Sequence, residues 1–257
     1  MGTAASQGVP SSGVKNLGYR AGRGHAGRVL AALVIVVVSL ALVVGAVWGV
    51  FGISTRTEGF VVSLAGGALM VSAVLELIDP AADVAPLWAV ATAVLSGAGV
   101  FVLLARWVAR RLGRDSGGGL LAAVTLDGVP ENLALGVVLI SAGPKEAAAL
   151  AGSILLSNLP EAAGGARDMV HDHSRRLVLG VWTGTAVLLS GAALLGHVAL
   201  AGVDESVLAL VEAFAGGAVV GSLATTVFPD AFDEDSFATG VATALGLLLA
   251  LGLDRLG

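Results

Sequence analysis

Residues 120–141 read LLAAVTLDGVPENLALGVVLIS, an apolar run that is long enough to cross a bilayer and carries Asp127 and Glu131 near its middle. The same frame returns thirty residues later, because Ser157-Asn158-Leu159-Pro160-Glu161 lies inside the apolar residues 147–166. A carboxylate at bilayer depth costs about 2.5–3.5 kcal/mol on insertion scales, so such residues are usually kept for an ion, proton or substrate pathway. Two Pro-Glu pairs in matching frames indicate one shared site.

The composition is that of a polytopic membrane protein. Hydrophobic residues make up 56% of the 257 residues and charged residues only 13%. A hydrocarbon core about 30 Å thick needs about 20 apolar residues per helix, and the chain supplies that length repeatedly. We predict an all-α integral membrane protein with eight helices, at Val29–Ile53, Phe60–Ile78, Pro86–Ala105, Leu120–Ser141, Ala147–Ala166, Leu177–Leu200, Val207–Phe228 and Phe237–Leu253.

The first 27 residues are rich in Gly and Ser and are predicted to form a disordered tail, with residues 28–257 as a single transmembrane domain. Basic residues follow helix 3, at Arg106, Arg110, Arg111 and Arg114, and helix 5, at Arg167, Arg175 and Arg176. By the positive-inside rule both loops are expected in the cytoplasm, which predicts a multi-pass protein of the plasma membrane with extracytoplasmic termini. The basic residues of the tail favour the opposite orientation.

A second repetition lies outside the two Pro-Glu helices. Ala65-Gly66-Gly67-Ala68 recurs as Ala215-Gly216-Gly217-Ala218, and each is followed by an Asp/Pro pair, Asp79-Pro80 and Pro229-Asp230. Small residues let helices approach closely in lipid, so either string alone is ordinary packing. In corresponding helices of two halves, however, they favour a 3+2+3 arrangement with an inverted repeat of helices 1–3 and 6–8.

The residues of each Pro-Glu helix form a short ladder of oxygen atoms. Residues four apart share a helix face, so Asp127 lies over Glu131 and Ser157 over Glu161, with Asn158 beside Glu161. Oxygen ligands suit hard or borderline divalent cations, and two carboxylates balance a charge of +2. The chain contains no cysteine, so a metal site has to use oxygen or His nitrogen.

An alternative interpretation needs no ligand. Glu131 and Glu161 would then be buried acids that are satisfied by hydroxyls such as Thr125 and Ser153, with each proline a plain kink.

At the two Pro-Glu strings the chain resembles the ZIP (Zrt/Irt-like) family of divalent metal transporters. That family typically carries His-Asn-x-Pro-Glu-Gly on helix 4 and His-x-x-Pro-Glu-Gly on helix 5 of an eight-helix bundle. Residues 127–132 and 157–162 occupy those places, and Leu64–Pro80 is similar to the family's helix 2. Asp127 and Ser157 replace the two motif histidines and Gly128 replaces the motif asparagine, as in a divergent member. Helix 6 holds no Asp or Glu, whereas family members with two metals draw on an acid there.

The resemblance implies transport of divalent metal cations of the zinc, iron or manganese class through a midplane site between helices 4 and 5. The implied metal ligands are Asp127, Glu131, Ser157, Asn158 and Glu161. Glu76 is expected at the pathway mouth or at the membrane interface. The metal is the substrate and no cofactor is expected. Without imidazole, the expected preference shifts from zinc toward manganese or iron(II). The lipid bilayer is the other partner, no nucleic acid is expected, and a homodimer is left open.

Other function classes stay open at this point. A proton-coupled solute transporter would use the same acids as a relay, and a non-transporting ZIP-like sensor or structural protein would fit the missing histidines. An enzyme is not expected, because His-Glu-x-x-His and Gly-x-Ser-x-Gly are both absent. The acids from Asp230 to Asp235 form either a solvated loop or an ion-release vestibule.

Overall fold

The structure is a computed structural model that describes residues 25–52, 54–112, 117–142, 144–234 and 236–256. This part of the chain forms eight helices with short connections and contains no strand. Each helix overlaps one of the predicted segments. The predicted all-helical membrane bundle is therefore confirmed at this level.

Six helices are uninterrupted: α1 (His25–Phe51), α3 (Leu87–Leu112), α4 (Gly117–Ser141), α5 (Pro144–Asp172), α6 (Arg175–Ala199) and α8 (Ser236–Leu256). Two helices contain a π-helical turn. In α2 the turn Val74–Ile78 separates Thr55–Ala73 from Asp79–Val84, and in α7 the turn Leu223–Val227 separates Glu205–Ser222 from Phe228–Glu234. Single π turns inside α-helices occur frequently at functional sites, so their presence in both of these helices is informative.

Several helices are longer than predicted, because polar residues at their ends continue the helix. Helix α3 extends to Leu112, so Arg106, Arg110 and Arg111 belong to the helix and not to a following loop. Long basic side chains can reach the interface from a helix end, which lets the helix continue past its apolar part. Arg114 and residues 1–24 of the predicted tail lie outside the described residues, and α1 already begins at His25.

Six helices, α1, α2, α3, α4, α6 and α7, are long and apolar enough to cross a membrane. The described apolar part of α8, Phe237–Gly252, is shorter, and α5 is long but does not reach the same hydropathy. The prediction of eight spanning helices is thus confirmed for six by length and composition. Helix α5 contacts α1, α2, α4, α6 and α8. A helix with this many protein neighbours does not need an apolar surface all round.

Glycines bring α2 and α8 into close contact. A Cβ atom added at Gly67 would lie 2.1 Å from the carbonyl oxygen of Thr243, and one added at Gly246 would lie 1.8 Å from the carbonyl oxygen of Leu64. No side chain fits at these distances. The crossing therefore depends on glycine, as is common where helices pack in lipid.

Helices α3 and α7 cross in the same way. A Cβ atom at Gly217 would lie 2.1 Å from the carbonyl oxygen of Val94, and one at Gly97 would lie 1.9 Å from that of Phe214. Gly67 and Gly217 are the third residues of the two Ala-Gly-Gly-Ala strings. The repeated sequence thus makes the same kind of crossing twice.

Helices α4 and α5 contact each other, and each also packs closely on a further helix. A Cβ atom at Gly49 of α1 would lie 2.0 Å from the carbonyl oxygen of Ala163 in α5. In the same way a Cβ atom at Gly136 of α4 would lie 2.0 Å from the carbonyl oxygen of Ala193 in α6. These contacts fix the two Pro-Glu helices inside the bundle.

Candidate metal site

The residues predicted as ligands lie in the interior, about midway along α4 and α5. Asp127 and Glu131 are each 5% exposed, and Ser157 and Asn158 are each 1% exposed. Glu161 is half-buried. The carboxylates of Asp127 and Glu131 both interact electrostatically with Glu161, so the two helices bring three acids into one region.

Ser157 and Asn132 bond within their own helices beside these acids. The Ser157 hydroxyl donates a hydrogen bond to Oε1 of Glu161. This bond orients the Glu161 carboxylate, and because the hydroxyl donates its hydrogen, both lone pairs of the Ser157 oxygen stay available. The amide of Asn132, which follows Glu131, donates to the carbonyl oxygen of Gly128 over 2.9 Å.

Four buried polar atoms near the acids have no hydrogen-bond partner in the described part of the chain: Asp127 Oδ1, Asn132 Oδ1, Asn158 Nδ2 and Ser222 Oγ. Buried polar groups are satisfied in the large majority of cases, so four exceptions in one region suggest that something polar belongs there. The oxygen and nitrogen of the Asn158 amide are nearly equal in shape, so a half-turn of the amide presents oxygen instead. The region then offers carboxylate, amide and hydroxyl oxygens.

Helix α7 adds two residues that the sequence analysis did not place in the site. The Ser222 hydroxyl lies beside the Asp127 carboxylate without a hydrogen bond of normal geometry. Asp230 interacts electrostatically with both Asp127 and Glu161. Asp230 belongs to helix α7, so the predicted loop is wrong for this residue, but its side chain is exposed, as predicted. The π turn Leu223–Val227 lies between the two residues.

The sequence held one signal for Ser222. It stands 150 residues after Ser72, as Gly217 stands after Gly67. The hydroxyl of Ser72 is 2.7 Å from that of Ser153 in α5. In the repeat, α2 corresponds to α7 and α5 corresponds to α4. A contact between serines of α2 and α5 therefore suggests that Ser222 of α7 contacts a polar group on α4, the helix that contains Asp127.

The hydroxyls that the packing interpretation assigned to the acids are bonded elsewhere. Thr125 donates to the carbonyl oxygen of Leu121 over 2.7 Å, and Ser153 pairs with Ser72. That interpretation loses the two hydroxyls that it named, although Glu161 still accepts a hydrogen bond from the hydroxyl of Ser157.

Within the described ranges, no three side chains of His, Cys, Asp or Glu are close enough together to hold a metal ion. The carboxylates of Asp127, Glu131 and Glu161 thus lie within electrostatic reach of one another without forming a closed cage. An ion that binds here has to draw the side chains together.

Three other buried acids, Glu58, Glu76 and Glu212, lie outside this group. Glu76 is 5% exposed in the π turn of α2, and that turn contacts α4, α5 and α7. Glu76 is thus buried against other helices, and its place at the membrane interface or along a pathway stays a prediction. Glu212 in α7 is buried and accepts a hydrogen bond from Ser141 at the end of α4.

An ion pair lies at the end of the bundle where α5 finishes. Arg167 of α5 binds Glu58 of α2, which corrects the assignment of Arg167 to a loop. A Cβ atom at Gly164 would lie 1.7 Å from Oε1 of Glu58, so glycine makes room for the pair. Arg167 stands six residues beyond Glu161, about 9 Å along the helix. The pair therefore lies between the acidic site and this end of the bundle.

Comparison of the chain with models of known protein families and with curated proteins gave no match in either case. The resemblance to the ZIP family stays a prediction from the motif residues.

Proposed function

We propose that this protein transports divalent metal cations across a membrane, through the region where α4, α5 and α7 meet. The observation that carries the proposal is the burial of Asp127 and Glu131 beside Glu161. The electrostatic partners of these acids include each other and Asp230, whose own side chain is exposed. Like charges in a poorly solvated interior are costly, and a divalent cation compensates two of them at once.

The unpartnered polar atoms support a ligand in the same place. The four atoms, Asp127 Oδ1 and Asn132 Oδ1 of α4, Asn158 Nδ2 of α5 and Ser222 Oγ of α7, come from three different helices, so no single helix distortion accounts for all of them. The donor set consists of oxygen atoms once the Asn158 amide is turned. This set favours manganese or iron(II) over zinc, which binds well to imidazole and thiolate ligands.

The arrangement that we propose is 3+2+3, with α1–α3 and α6–α8 as inverted repeats. This repeat makes α2 equivalent to α7 and α3 equivalent to α8. It therefore relates the crossing of α2 and α8 to the crossing of α7 and α3, and in both crossings a glycine packs against a backbone carbonyl. The same repeat relates the contact of α1 with α5 to that of α6 with α4. Both α2 and α7 also contain a π turn after the repeated string. Transporters built this way hold their substrate near the midplane.

We further propose a plasma-membrane location with the ends of the helical domain on the extracytoplasmic side. The support is charge: Arg110 and Arg111 at the end of α3 and Arg175 and Arg176 at the start of α6 are exposed. Because successive helices run in opposite directions, the end of α3 and the start of α6 lie at the same end of the bundle, and all four arginines lie there. Basic residues are favoured at the cytoplasmic end.

The experiment that tests the proposal is metal uptake by cells that express the chain, across manganese, iron(II), zinc and cadmium. Glu131→Gln and Glu161→Gln keep side-chain size and remove charge, so each should abolish uptake while the amount of protein in the membrane stays the same. Glu212→Gln is the matched control, because Glu212 is a buried acid outside the site. It should keep most of the uptake.

Unchanged uptake in both Glu131→Gln and Glu161→Gln would overturn the site assignment. Equal loss in Glu212→Gln would show only that buried acids are needed for folding. A proton flux into proteoliposomes that needs no metal would favour the second candidate, a proton-coupled solute transporter. The open geometry of the three carboxylates also fits that candidate.

A further inference from the structure

An apolar groove lies between α3, α4 and α7, on the side of α4 that carries Pro130. Its volume is about 490 Å³. Val100 and Leu104 of α3 line it and are each 45% exposed, so the groove is open at the protein surface. Thr125 supplies the one hydroxyl in the lining, and that hydroxyl is bonded to the carbonyl oxygen of Leu121. The groove therefore presents an apolar wall.

The groove follows one face of α3. The α3 residues that line it are at positions 97, 100, 101, 104 and 108, which recur every three or four residues. Arg111 is the next position on this face, one turn beyond Val108. Arg106 and Arg110 lie on the opposite face, since each residue turns the helix by about 100°. Only one of the three arginines of this helix end thus continues the groove.

Arg111 also marks the level of the membrane surface. Its guanidinium carbon lies 6.0 Å from the ring centroid of Trp107, which is 59% exposed. Tryptophan is enriched at membrane–water interfaces, and an arginine stacked on it keeps its charge at the head-group level. An apolar groove in the span Leu87–Arg111 therefore ends beside a fixed positive charge.

We propose that this groove is a binding site for an anionic phospholipid, with one acyl chain between α3 and α4 and the phosphate on Arg111. In a bilayer the open side of the groove faces hydrocarbon, and a flexible chain fills a narrow apolar space without needing hydrogen bonds. The guanidinium provides a fork of donors that matches phosphate oxygens. The groove reaches Pro130, so the lipid packs against the residue next to Glu131.

The test measures lipid binding directly, so it is independent of what the protein transports. Purified protein is titrated with phosphatidylglycerol or phosphatidylcholine in detergent, and bound lipid is counted by native mass spectrometry. The wild type should retain phosphatidylglycerol in preference. Arg111→Ala should weaken its binding about fivefold, the effect of one basic residue near an anionic lipid surface. Arg110→Ala removes the same charge from the opposite face of α3 and should change nothing.

A second variant tests the acyl chain. Val100→Trp fills the groove and should reduce retention of both lipids, with the oligomeric mass unchanged. If that protein does not fold, the smaller change Ala122→Leu takes its place, because Ala122 lines the α4 side. Equal binding of the two lipids by the wild type, or equal losses in Arg110→Ala and Arg111→Ala, would overturn the proposal. So would a change of oligomeric mass on filling the groove, since a second copy would then be its occupant.

Discussion

Replacement of Gly67 by alanine is expected to force α2 and α8 apart. The added Cβ atom would lie 2.1 Å from the Thr243 carbonyl oxygen, whereas a carbon–oxygen contact needs about 3.3 Å. The helices must therefore separate by about 1 Å at a crossing that also buries Ala65 and Ala68. Overpacking costs about 1–3 kcal/mol, and the upper end applies because the obstacle is backbone and cannot rotate away. Gly217→Ala meets the Val94 carbonyl oxygen at the same distance and should cost a similar amount.

The controls for this prediction are glycines with room around them. A Cβ atom at Gly99 of α3 or Gly184 of α6 has nothing within 4 Å, so alanine there should be neutral or slightly stabilising. Thermal unfolding in detergent, followed by size-exclusion chromatography of the heated protein, measures the difference. A loss of 2–3 kcal/mol corresponds to a fall in Tm of about 5–10 °C. Alanine at Gly67 and Gly217 that behaves like alanine at Gly99 would refute the close crossing, and clearly unequal losses would refute the equivalence of the halves.

Three further predictions concern the site and the end of the bundle. Glu58→Gln removes the carboxylate charge from the pair with Arg167, so the free energy of unfolding should fall by about 1–3 kcal/mol in detergent; an unchanged value would show that the pair does not stabilise this end. Ser222→Ala should raise the KM for manganese uptake about threefold to tenfold at unchanged stability, because one oxygen ligand is lost; an unchanged KM would place Ser222 outside the site. Asp127→His should shift the ranking of metals toward zinc in mixed-metal uptake, and a constant ranking would remove Asp127 from the ligands.

The number and positions of the helices could be predicted because each apolar run is about as long as a membrane is thick. The helix ends could not. Arg110 and Arg111 count as loop residues in a hydropathy pattern, yet their long side chains let α3 continue to Leu112. The π turns were not predicted either: one contains Glu76 and the other Thr225 and Thr226, but none of these residue types marks a π turn in a sequence.

Part of the candidate site could also be predicted from the sequence. An acid such as Glu131 inside an apolar run is a strong isolated signal, because lipid makes it costly. A serine such as Ser222 is common in an apolar helix, and whether it belongs to a site depends on which group of a neighbouring helix it contacts. The pair of Glu58 with Arg167 joins residues 109 positions apart and exists only through the packing of α2 on α5. Sequence spacing carries no information about such a contact.

Packing also bears on how many metal ions the proposed site would hold. The position that the ZIP motif gives to asparagine is Gly128 here, and a Cβ atom on it would lie 2.4 Å from the Leu189 side chain of α6. Leu189 is fully buried, so it fills the space between α4 and α6 that a polar ligand would need. Helix α6 itself contains no Asp or Glu. The apolar contact on that side leaves the proposed oxygen ligands to the other sides of α4, where Glu161 of α5 and Ser222 of α7 lie. We therefore expect the proposed site to hold one ion and not two, with α7 supplying the further polar group that helix 6 supplies in ZIP transporters with two metals.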